Sequence, residues 1–166
     1  MRISVANLFG KNGCTESFSL EEMPKDVYPD VVDFVKPVSL HGTVTNEKEQ
    51  MLVSAEGNCT VHMACARCLA PVEQEITFSL DERFVRTGTV QEETETFSGD
   101  QMDLSDIVRR SILGALPMKV LCKEDCKGLC PKCGKNLNEG ECGCDTSHVD
   151  PRFESLRALF NLDEEV

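Results

Sequence analysis

Tryptophan is absent from this chain, tyrosine occurs once, and eight phenylalanines make up the remaining aromatics. A core drawn from that set is largely aliphatic. No stretch is long and apolar enough to span a bilayer, and the opening MRISVANLFGKNG holds no apolar run of signal-peptide length. The expectation is a cytoplasmic protein. Positive charge is also scarce, with 17 Lys and Arg against 29 Asp and Glu, a net charge of -12. Non-specific nucleic-acid binding runs on clustered Lys and Arg, so this balance disfavours it. No Ser–His–Asp order, phosphate-binding glycine loop or inward carboxylate pair stands out, and the chain reads as non-enzymatic. Its 166 residues suggest one domain, or one domain with a metal-stabilised appendage.

What the chain does have is cysteine, ten in all, six of them between Leu121 and Asp145. They fall as Cys122-x3-Cys126-x3-Cys130-x2-Cys133-x8-Cys142-x-Cys144, and an upstream pair stands at Cys65-x2-Cys68. Two thiols spaced x2 around a tight turn point at one place, and two such pairs make a four-thiolate cage for zinc. Disulfides fit a secreted chain better than this one. An iron–sulfur cluster matches Cys126-x3-Cys130-x2-Cys133, but the chain is too short for the large barrel that such radical enzymes need. Zinc is the preferred reading.

The eight thiols divide into two sites. Cys130, Cys133, Cys142 and Cys144 are close in sequence and cheap to bring together. Cys122 and Cys126 then need two further ligands, which Cys65 and Cys68 supply as a long-range tie. Four cysteines in each site leave no open position, so both expected zinc ions are structural. Cys14 and Cys59 are left as free thiols. His41 and His62 lie in strands, and His148 follows a ligand set that is already complete.

Taken in order, Ile3 and Val5, then Phe18 and Leu20, alternate as in short strands about a turn at Asn12-Gly13. Pro24, Pro29 and Pro37 make Met23 to Pro37 a loop or a short helix. Val38, Leu40 and Val44 alternate up to a turn at Asn46 to Gln50. Val53 to Cys65 and Val72 to Leu80 are expected to form a long antiparallel hairpin with ARCLAP at its tip and a bulge at Gly57. The span from Thr87 to Asp106 carries Glu92, Glu93, Glu95, Asp100, Asp103 and Asp106 with no Lys or Arg. Asp103 is the expected N-cap of a helix with Leu104, Ile107, Val108, Leu113 and Leu116 on its apolar stripe, ended by Pro117. Asp150-Pro151 opens a final helix.

The expected fold class is α+β: an antiparallel β-sheet or partly open barrel, then a helix, a zinc-knuckle segment and a C-terminal helix. The expected division is a β-rich part over 1–86, an acidic flexible loop over 87–103, and 104–166 with the cysteine-rich segment 121–145.

Four stretches together carry a resemblance: ACARCLAPVEQEITFSLDERF, DLSDIVRRSILGALPMKVLC, CKGLCPKCGKNLNEGECGC and DPRFESLRALF. Over roughly residues 35–160 the chain resembles the bacterial YceD family, known as large ribosomal RNA accumulation proteins. The resemblance implies a non-enzymatic factor needed for normal levels of large-subunit (23S) ribosomal RNA during ribosome assembly, bacterial or plant organellar. It supplies no catalytic or RNA-contact residue, so zinc rests on the spacing alone. The partner is either a basic ribosomal protein or pre-ribosomal large subunit, which the acidic loop would complement, or RNA held by a local patch. Arg67, Arg83, Arg86, Arg109, Arg110 and the lysines Lys119, Lys123, Lys127, Lys132 and Lys135 are the candidates for such a patch. A thiol-redox sensor or redox-controlled chaperone is the alternative.

Overall fold

The computed structural model describes residues 1–24, 33–48, 50–87 and 95–145. Its strands are β1 (Arg2–Ser4), β2 (Thr15–Glu22), β3 (Asp33–Phe34), β4 (Val38–Glu47), β5 (Gln50–Ala64), β6 (Pro71–Arg86), β7 (Glu95–Phe97) and β8 (Gln101–Asp103), followed by helix α1 (Ser105–Ala115). The larger sheet runs in the order β2-β4-β5-β6-β7, with β3 paired to β5, and β1 pairs with β8 in a second, two-stranded sheet. The architecture is sheet-dominated, and the sheet is open rather than a closed barrel.

Alternation explains the long strands. On β4, Val38, Leu40 and Val44 are buried; on β5, Met51, Val53, Ala55, Cys59 and Val61; on β6, Ile76, Phe78, Leu80 and Phe84. Their intervening neighbours are mostly exposed Ser, Thr, Asn and Glu, the pattern of a sheet with one wet face. Ile107, Val108 and Ile112 of α1 join this core. Leu113 and Leu116 of the expected stripe pack against the core part-buried, and Ile112, which the stripe did not include, is fully buried beside them.

Several expectations need correction. The sheet is mixed, because β7 runs parallel to β6. Residues 95–103, read as part of a flexible acidic loop, contain β7 and β8; Phe97 and Met102 are buried and fix both strands to the core. Asp33–Phe34, placed in a proline-punctuated loop, pairs with His62 and Val61. Asn46 is a buried strand residue instead of a turn position, and its Nδ2 donates to the Leu8 carbonyl at 2.6 Å. Gly57 is no bulge: it stands in unbroken register between Leu40 and Phe78. A Cβ there would lie 2.4 Å from the Phe78 ring, so the glycine makes room for that ring.

Asp103 closes β8, one position before the helix N-cap residue Leu104. Its Oδ1 still accepts from the Ser105 N–H at 2.9 Å. Pro117 forces Leu116 into extended backbone (φ -62, ψ 130) and the helix stops. The final helix expected from Asp150 lies outside the described residues, as do Glu92, Glu93 and His148. Among the described residues, no helix is long and apolar enough to cross a membrane.

Candidate metal centre: two four-cysteine clusters

The hairpin of β5 and β6 ends in a tight knuckle. Ala64 pairs with Pro71, and between them Cys65 N–H donates to the Ala70 carbonyl at 2.8 Å while Leu69 N–H returns to the Cys65 carbonyl at 2.9 Å. The cysteine-rich segment repeats the figure. Cys130 N–H donates to the Lys135 carbonyl at 2.8 Å, and Gly134 N–H returns to the Cys130 carbonyl at 2.9 Å. The residue after each second cysteine has left-handed backbone, Leu69 at φ 60 and Gly134 at φ 72. CARCLA and CPKCGK thus adopt one backbone turn with different residues at the strained position.

The turn has an electrostatic result. In the first knuckle the N–H groups of Arg67 and Cys68 point at the Cys65 sulfur and hold its pKa down to about 6. In the second, those of Cys133 and Lys132 do the same for Cys130, again to about 6. A hydrogen bond to the thiolate favours the charged, metal-ready form.

After α1 the chain returns to the hairpin tip, where Ala66 N–H donates to the Val120 carbonyl at 2.9 Å. That return brings Cys122 and Cys126 to the first knuckle. Cys65 Sγ lies 3.9 Å from Cys126 Sγ, and Cys68 Sγ lies 3.6 Å from Cys122 Sγ. A tetrahedron of thiolates at ~2.3 Å from zinc has sulfurs about 3.8 Å apart. Cys65, Cys68, Cys122 and Cys126 form one group and Cys130, Cys133, Cys142 and Cys144 the other, the sulfurs of each lying within 4.8 Å of one another. The grouping is the one expected from spacing. Either group could hold a metal ion, and an all-thiol donor set is compatible with zinc.

Within each group the crowded sulfurs oppose one another's ionisation. Cys122 is pushed up to about 12 by its neighbours Cys126 and Cys68, and Cys144 to about 12 by Cys133 and Cys142. One thiol ionises readily and another resists; a dication would remove that conflict.

The groups differ in depth. Cys65, Cys68 and Cys126 are buried with Val72, Leu121 and Leu129 packed around them, and only Cys122 is exposed. In the second group Cys130 alone is buried, while Cys133 is exposed. Cys14 is an exposed thiol and Cys59 a core residue, whose burial raises its pKa to about 11.

Three of the arginines considered for an RNA patch have bonds within the fold. Arg67 Nη1 donates to the Cys126 carbonyl at 2.7 Å, Arg109 pairs with Asp106, and Arg110 with Glu95. Arg86 lies over the Phe9 ring, 4.9 Å from its centre. His41 bonds Ser39, and His62 sits between Asp33 and Glu73, so neither approaches a cysteine group. Sequence reasoning passed over Asn138, which donates to Cys126 Sγ at 3.3 Å; an asparagine in a glycine-flanked reversal looks like a turn residue and nothing more.

The family model for large ribosomal RNA subunit accumulation protein YceD matches residues 53–160, a span that contains all eight clustered cysteines. The chain belongs to the YceD family. Among YceD relatives, the uncharacterized protein Rv2926c of Mycobacterium tuberculosis is 33% identical over 119 residues, 68% of this chain and 57% of that protein. The Bacillus subtilis protein YlbN is 26% identical over 135 residues, 79% of this chain and 78% of that one. The large ribosomal RNA subunit accumulation protein YCED homolog 1, chloroplastic, of Arabidopsis thaliana is 32% identical over 59 residues, 36% of this chain and 18% of that one. The chain thus spans 57% of the length of its mycobacterial relative. No solved structure matches.

Proposed function

We propose that this chain is a non-enzymatic cytoplasmic factor that supports accumulation of large-subunit ribosomal RNA during ribosome assembly. Membership of a family named for that accumulation carries the reading. Two structural zinc ions, one in each cysteine group, brace the part that acts. The partner is a basic ribosomal protein or a pre-ribosomal particle containing one. A net charge of -12 supports a basic partner over a broad RNA contact. The internal bonds of Arg67, Arg109 and Arg110 point the same way, because those guanidinium groups already have acceptors.

The test is depletion in a cell carrying this gene, followed by measurement of large-subunit against small-subunit RNA. The expected result is a fall in that ratio with altered free-subunit profiles. A normal ratio, with protein aggregation rising under oxidant, would replace the ribosome reading with a redox-controlled chaperone.

A further inference from the structure

The two cysteine groups are not independent. The segment that closes the second group folds back along the segment that leaves the first. Leu129 bridges Asn136, and Leu137 N–H donates to the Gly128 carbonyl at 2.9 Å. This places Asn138, which lies between Cys133 and Cys142, beside Cys126 of the other group.

Its orientation is determined by its partners. Asn138 Oδ1 accepts from Lys127 N–H at 2.9 Å. The amide nitrogen therefore faces the other way, donating to Cys126 Sγ at 3.3 Å and to Asn136 Oδ1 at 2.8 Å. Asn138 is half-buried, and its main-chain N–H is held by Asn136 Oδ1 at 3.1 Å. An N–H aimed at a thiolate stabilises the ligand form of that thiolate and fixes its direction, and such outer contacts set metal affinity by about 10- to 100-fold.

We propose that Asn138 is a positioning residue that couples the two groups: a metal in the second group holds the loop that keeps the Asn138 amide on Cys126, and the first group then binds its own metal more tightly. The inference rests on the metal-binding reading above. The coupling is reciprocal, so a metal in the first group tightens the second by the same factor.

The test is competition for zinc between the full chain and a chromophoric chelator. Asn138→Asp is the informative variant: it keeps an acceptor for Lys127 N–H and loses the amide N–H groups that reach Cys126 Sγ and Asn136 Oδ1. The expected result is a loss of about tenfold in the affinity of the first group. In Cys68→Ser, where only the second group can load, Asn138→Asp removes just the Asn138–Asn136 bond of that loop, and the second group should weaken by clearly less than the first group does in the full chain. In Cys144→Ser the first group should weaken by the same factor, and adding Asn138→Asp should weaken it no further. If Asn138→Asp leaves the first group at wild-type affinity, or its effect simply adds to that of Cys144→Ser, the coupling is overturned while metal binding stands. If the wild-type chain takes up no zinc, the metal reading and the coupling both fall.

Discussion

The first cysteine group is built across the fold and the second within a single loop. Cys65 and Cys126 are 61 positions apart, whereas Cys130 and Cys144 are separated by 14. For a free chain, closing the longer loop costs about 1 kcal/mol more. The fold offsets that cost differently in each case. The β5–β6 hairpin delivers Cys65 and Cys68 on a strand end, and α1 with Pro117 aims the return of Cys122 and Cys126. The second group has no such frame and relies on glycine turns and short hydrogen bonds. A metal in the first group should therefore stabilise the whole chain, and one in the second only its neighbourhood.

Removing one ligand from each group separates these cases most strongly. Cys68→Ser should lower the unfolding free energy of the whole chain by about 4 kcal/mol when free zinc stands ~1,000-fold above the wild-type dissociation constant. Hydrogen exchange should show lost protection along β5 and β6 as well as at the tip. Cys144→Ser should deprotect residues 127–145 and touch the sheet only through the coupling via Asn138. Equal deprotection of the sheet in both variants would break the distinction.

The frame itself can be disturbed at a distance. Gly57→Ala puts a Cβ 2.4 Å from the Phe78 ring and 2.9 Å from the Ser39 carbonyl oxygen. The expected cost is about 1–3 kcal/mol from overpacking, read from chemical denaturation. Zinc affinity of the first group should fall with it, and that of the second should hold in the Cys68→Ser background, where the coupling to the first group is already absent. A loss in the second group in that background would mean that it also depends on the sheet.

The smallest effect sharpens the comparison at the level of one backbone angle. Leu69 and Gly134 occupy the same left-handed position of the same turn. Left-handed backbone costs a non-glycine residue about 1–2 kcal/mol. Gly134→Ala should weaken the second group by roughly 1 kcal/mol. Leu69→Gly should leave the first group at wild-type affinity or slightly tighter. A marked loss on Leu69→Gly, seen by chelator competition, would mean that the leucine side chain itself is needed.

The long hairpin and the grouping of the eight thiols were legible because both follow local rules, alternation with period two and the x2 spacing of thiol pairs. Three kinds of feature were not. The β1–β8 and β6–β7 pairings depend on β1, β7 and β8, three-residue strands whose periodicity is too short to register. An acidic stretch reads as solvated unless Phe97 and Met102 are seen to anchor it. The Asn138 contact arises only when two loops are folded against each other, and no spacing encodes it.

The separation of ligands in the first group also sets an order of events during synthesis. Cys68 precedes Cys122 by 54 residues. At roughly 5–20 residues per second the hairpin tip waits about 3–10 s for the rest of its site. Through that interval Cys65 and Cys68 form a vicinal dithiol, open to oxidants and to stray soft metals. The second group has no comparable delay, since its last cysteine follows its first within about 1–3 s at the same rate. A nascent chain with two ends of such different exposure makes zinc supply and reducing power matter first at residues 65–68, well before the folded protein exists.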